Sequence, residues 1–116
     1  MSPTATFDLP VNGTFTATTN SGQLQRAVIA DSAGNQLWTA QGSGTRVQIG
    51  SGALSAQTGL TVTLSWSADN GVTWQTSDLN NGGPYAIGRL RMFTVVGENG
   101  DDTDYNDLIL QFTWRQ

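Results

Sequence analysis

Leu60-Thr61-Val62-Thr63-Leu64-Ser65-Trp66-Ser67 alternates apolar with hydroxylated residues without a break. Side chains leave a β-strand on alternate faces, so this stretch offers one face to a core and the other to water. Asn70-Gly71 follows closely. That pair suits a two-residue hairpin turn, because a type I′ turn needs positive φ at both central positions. The C-terminal stretch has the same period: Leu108, Leu110, Phe112 and Trp114 share one face, and Ile109, Gln111 and Thr113 the other. Residues 90–96 (Leu-Arg-Met-Phe-Thr-Val-Val) form a third strong strand, apolar enough to expect burial on much of both faces. Weaker strands are expected at 13–19, 24–30, 36–39, 45–49 and 72–76. Residues 31–35 (Asp-Ser-Ala-Gly-Asn) read as a hairpin loop, and 80–84 (Asn-Asn-Gly-Gly-Pro) as a longer connection. Helical periodicity is hard to find. The pattern predicts an all-β fold: an antiparallel β-sandwich of about eight or nine short strands.

The composition agrees. The 116 residues are enough for one domain, expected to span 1–116, with a real core. Only 12% are charged, about half the usual share, so Thr, Ser, Asn, Gln and Gly must cover much of the surface. No run of about 20 apolar residues could span a membrane. Residues 1–10 lack the basic and apolar stretches of a signal peptide, which implies cytoplasmic synthesis and leaves a non-classical export route open. Cysteine is absent, so no disulfide supports the fold.

The net charge of −4 is unevenly placed. Five of the nine acids (Glu98, Asp101, Asp102, Asp104 and Asp107) fall within ten residues, and the rest of the chain carries +1. With five arginines and no lysine, the chain has no electrostatic footprint for nucleic acid. The acidic segment lies between two strongly apolar strands, which hold it at both ends. Two unit charges about 4 Å apart repel by roughly 1 kcal/mol in water and about 4 kcal/mol at an effective dielectric near 20. Either these side chains fan into solvent or a cation neutralises them. An all-oxygen donor set without Cys or His favours Ca²⁺ over zinc, and five acids exceed what magnesium needs. Two dications would bring the formal charge to zero. An EF-hand is excluded: its sixth position would be Asp107 in place of glycine, and its twelfth Thr113 in place of glutamate.

The run Asp102-Thr103-Asp104-Tyr105-Asn106-Asp107, followed by a strand closing on Trp114, resembles the bacterial fucose- and mannose-binding lectins of the LecB (PA-IIL) family. Phe7-Asp8-Leu9-Pro10 and Phe15 resemble that family's opening strand, and Asn20-Ser21 its first sugar-side loop. The resemblance implies two adjacent calcium ions that coordinate neighbouring sugar hydroxyls directly. Glu98, Asp102, Asp104 and Asp107 would hold one ion; Asn20, Asp104, Asn106 and Asp107 would hold the other. Asp104 and Asp107 would bridge them. Ser21, Gly22 and Gln23 would occupy the tripeptide that tunes sugar preference, and Asn99, Asp102, Asp104 and Asn106 would line the sugar.

The family closes on a glycine whose terminal carboxylate completes a partner's metal site. Here that position is filled by Gln116, one residue sooner after the tryptophan. Asn99 stands where the family often has an acid. The implied partners are mono- or oligosaccharides containing fucose or mannose, and the implied assembly is a homodimer, with tetramers left open.

An enzyme is not expected. Acids committed to calcium make poor proton donors, no other acidic pair is visible, and His, Cys and Lys are absent. The competing reading is a calcium-stabilised adhesion or structural module without monosaccharide specificity. Trp66 and Trp114 are expected in the core or a dimer contact, and Trp38 and Trp74 in the core. Tyr105 is expected to pack beneath the acidic loop. Arg89 and Arg91 are expected on a solvated or ion-paired face, and Asp8, Asp31, Asp69 and Asp78 at turns or edges.

Overall fold

The computed structural model describes residues 4–98 and 107–116. Eight strands are present among them: β1 (Thr4–Leu9), β2 (Gly13–Ala30), β3 (Gln36–Leu54), β4 (Gln57–Ser67), β5 (Gln75–Thr76), β6 (Asp78–Ile87), β7 (Leu90–Glu98) and β8 (Leu108–Arg115). All pairings are antiparallel, in the order β1-β4-β2-β8-β7-β6, with β3 on β2 and β5 on β4. The all-β antiparallel expectation holds.

Strand lengths are less even than the sequence suggested. The weaker segments 13–19 and 24–30 are two halves of the 18-residue β2, and 36–39 and 45–49 are parts of the 19-residue β3. The first half of β2 pairs with β8, from Gly13↔Trp114 to Thr19↔Leu108, and the second half with β4, from Leu24↔Ser67 to Ala30↔Thr61. β2 therefore changes partner at residues 20–23, and β3 bends with it. One eight-stranded sheet thus folds into two facing layers.

Aromatic contacts show the layers meeting. Phe7 of β1 stacks on Phe93 of β7 at 4.5 Å between ring centroids, and lies 4.7 Å from Phe112 of β8. Phe15 of β2 meets Trp38 of β3 edge-on at 4.8 Å. Leu60, Val62 and Leu64 are wholly buried, as their alternation required, while Trp66 is half-buried. Truncating Phe112, which is 1% exposed beneath three other rings, should cost about 3–5 kcal/mol in urea unfolding.

Three local expectations are corrected. Residues 80–84 do not connect strands: they lie inside β6, where a cis Gly83-Pro84 bond sits in a register shift between Gly82 and Tyr85. Residues 72–76 yield only the two-residue β5. Trp74 is half-buried outside the core, beneath the Arg26 guanidinium at 4.0 Å, a cation–π pair that spacing alone does not reveal. Trp114, at 4% exposure, is in the core, and Trp38 packs half-buried against it.

Two of the acids outside the cluster, Asp31 and Asp69, serve turns. Asn70 and Gly71 both have positive φ, 60° and 94°. Beside them Asp69 accepts bonds from the Thr73 hydroxyl, the Thr73 amide and the Ser67 hydroxyl, which together hold its carboxyl down at about 2. The folded carboxyl thus titrates below the ordinary value of 3.8. Its contribution to stability is fully present above that value and is lost as pH falls toward about 2. The melting-temperature gap between wild type and Asp69→Asn should be constant from pH 7 to 5 and close below pH 4. Asp31 caps its hairpin through Ala33 and Asn35, and Asp8 accepts the Gly59 amide. Arg91 donates to the carbonyls of Gly88 and Leu90, so it braces the β6–β7 turn.

Candidate functional site

Register brings the flanks of the acidic segment together. Leu108 opens β8 and pairs with Thr19 on one side and Gly97 on the other. One step further, the Asn20 amide donates to the Asp107 carbonyl at 2.9 Å, and the Asp107 amide donates to the Gly97 carbonyl at 3.1 Å. Asn20, Asp107 and Glu98 therefore form a row across β2, β8 and β7, spaced by about 4.8 Å per strand. The row continues onto β6, where Asp78 pairs with Glu98.

Thr19, Leu108 and Gly97 are buried, and a Cβ on Gly97 would strike Leu64. Alternation then sends Asn20, Asp107 and Glu98 to the outer face of their layer. An exposed edge would be expected there. Instead Glu98 is 3% and Asp107 8% exposed, and both are engaged in interactions within the chain. Glu98 also ends β7, so the strand runs further into the acidic segment than its sequence suggested. Two neighbouring carboxylates withdrawn from water must be balanced by donors or by a cation. Their chemistry fits a hard, oxygen-seeking ion.

Asn20 is half-buried at the point where β2 changes layer. Residues 20–23, expected as a loop, are instead a bulged bend within the continuous β2, where the register against β3 shifts on both sides of Ser21. Ser21 is 9% exposed, Gly22 is exposed and Gln23 half-buried, and the Gln23 amide donates to the Ser21 hydroxyl at 3.1 Å. The tripeptide therefore adjoins Asn20 and presents Gly22 outward.

Gln116 is not brought to this row within one chain. β8 carries it to the opposite end, roughly 30 Å from Asp107 at strand rise. There its amide donates to the Arg89 carbonyl at 2.9 Å. A shallow cavity of about 490 Å³ also lies at that far end, beside Asn12, Leu90, Trp114 and Arg115, so the concavity and the buried carboxylates do not coincide. Asn99, Asp102, Asp104, Tyr105 and Asn106 lie outside the described residues. Among the described residues, no three acids converge closely enough to hold a metal ion by themselves.

The Asp78 position, directly across from Glu98, was not singled out by sequence reasoning. Twenty residues separate the two, and only strand pairing brings them together.

Comparison with known proteins identifies the family and the fold. The family model described as fucose-binding lectin II (PA-IIL) matches residues 6–116. No curated protein matches the sequence significantly. Among solved structures, the chain is similar to the Ralstonia solanacearum high-affinity mannose-binding lectin, with a TM-score of 0.77 and 26% identity, covering 100% of this chain and 98% of that one. It is similar to the C-terminal domain of the BC2L-C lectin from Burkholderia cenocepacia, with a TM-score of 0.76 and 25% identity over 100% and 99% of the two chains. The Chromobacterium violaceum lectin CV2L, solved with alpha-methyl-fucoside, has the same fold at a TM-score of 0.76 and 24% identity, over 100% and 98%.

Proposed function

Because the chain belongs to the fucose-binding lectin II (PA-IIL) family, we propose that it recognises fucose- or mannose-type sugars through two calcium ions held at the Asn20–Asp107–Glu98 row. It is a carbohydrate-binding lectin and not an enzyme, because lectins bind sugars without turning them over. The observation that supports the finer reading is the burial of Glu98 and Asp107 side by side.

In this reading Glu98 and Asp107 supply anionic oxygens and Asn20 a neutral amide oxygen. Asp102, Asp104 and Asn106 complete the donor set from the segment outside the described residues. Bound calcium would supply open coordination positions for two adjacent sugar hydroxyls. Ser21, Gly22, Gln23 and Asn99 would contact the rest of the ring. Direct coordination explains why no deep pocket is needed: two metal–oxygen contacts orient a ring on an open surface. Gln116 could join such a site only from a second copy of the chain, because β8 carries it away from its own row. That places a homodimer within the proposal.

A glycan array read in calcium and in EDTA tests this. Binding to fucosylated or mannosylated glycans that disappears with chelator is expected. Calcium-raised thermal stability with an empty array would instead identify a calcium-stabilised structural module.

A further inference from the structure

The bend that carries Asn20 is held by a side chain that no donor set includes. Thr19 is wholly buried. Its hydroxyl donates to the Gly44 carbonyl at 3.1 Å and accepts the Ser21 amide at 3.4 Å. One hydroxyl therefore ties the residues on either side of Asn20 to the facing bend of β3.

That facing bend is strained. Asn20 lies opposite Thr45 and Arg46, since Thr19 pairs with Val47 and Ser21 with Gly44. Arg46 is left-handed at φ 55°, costly for a residue with a Cβ. Gly44 stands at φ 120°, and a Cβ there would lie 2.8 Å from Val47. A strained two-strand bend relaxes unless something fixes it. The Thr19 hydroxyl is the described side-chain link from β2 to the Gly44 carbonyl.

The geometry points to Thr19 as the positioning residue of the calcium and sugar site. It touches neither ion nor sugar. By fixing the bend it sets where the Asn20 amide oxygen and the outward Gly22 stand relative to Asp107. The inference rests on the calcium-lectin reading above. Partners that orient metal ligands without touching the metal typically change affinity by about 10–100-fold when removed.

Thr19→Val keeps the β-branched shape and removes the hydroxyl. Thr39→Val is the control: the Thr39 hydroxyl donates to the Ala27 carbonyl at 2.9 Å, also from one long strand to the other, but away from the bend. Calcium affinity, measured calorimetrically on folded protein, should fall at least tenfold in Thr19→Val. It should stay within about threefold of wild type in Thr39→Val and in the hydroxyl-restoring Thr19→Ser. In EDTA, amide exchange at Asn20 and Ser21 should accelerate in Thr19→Val alone. Equal calcium affinities in Thr19→Val and wild type would overturn the assignment, as would equal losses in Thr19→Val and Thr39→Val. A wild type that takes up no calcium would overturn the calcium reading itself. The exchange rates would then still decide whether Thr19 fixes the bend.

Discussion

Asp107→Asn is expected to lower calcium affinity at least a hundredfold and to remove sugar binding with it. The substitution keeps the side chain's shape and changes only its charge. In the proposed site Asp107 bridges both ions, and a neutral amide cannot balance two close dications. A hundredfold loss is about 2.7 kcal/mol. The same change should have the opposite sign without metal. Asp107 is buried next to Glu98, and removing one of two crowded charges leaves the chelated protein as stable as wild type or more so. A variant stable in EDTA but unresponsive to calcium would mark Asp107 as a ligand rather than a structural residue. Asp104→Ala, outside the described residues, should behave alike toward calcium.

Calcium itself should have a large thermal effect. An ion that binds only the folded chain stabilises it by about 2.7 kcal/mol at a hundred times its dissociation constant. For a chain of this length that corresponds to a rise in melting temperature of about 10 °C. Differential scanning calorimetry in EDTA, then with excess calcium, reads it directly. Adding mannose or fucose in the presence of calcium should raise the transition further, and adding either in EDTA should not move it.

Much of this was legible in the sequence, for physical reasons. Period-2 alternation in 60–67 and 108–114 marks a strand with one wet face, and the structure buries Leu60, Val62, Leu64, Leu108, Leu110, Phe112 and Trp114, although at the end of β4 the order reverses, with Trp66 half-buried and Ser67 buried. Asn70-Gly71 adopts the positive φ values its composition demanded. The acidic cluster stood out as a candidate site because the carboxylates are close in sequence, and strand pairing sets Asn20 beside Asp107.

What was not legible depends on long-range pairing. No local signal says that 13–19 and 24–30 are one strand shared between two layers, because each half alternates like an ordinary short strand. The bend at 20–23 therefore looked like a loop. Asn-Asn-Gly-Gly-Pro at 80–84 has turn composition, yet pairing with β7 draws it into β6, and a bulge absorbs the glycines and proline. Asp78 meets Glu98 for the same reason. The Thr19 hydroxyl bond to Gly44 spans 25 residues and appears only when both long strands are folded over.

In the proposed site, buried neighbouring carboxylates at Glu98 and Asp107, joined by Asn20, take up a pair of calcium ions to which sugar then binds. Calorimetric titration of chelator-stripped protein with calcium, followed by mannose or fucose, measures this most directly. Two ions per chain are expected, with sugar heat appearing only after both are bound. Absence of calcium uptake, or equal sugar binding in EDTA, would contradict it.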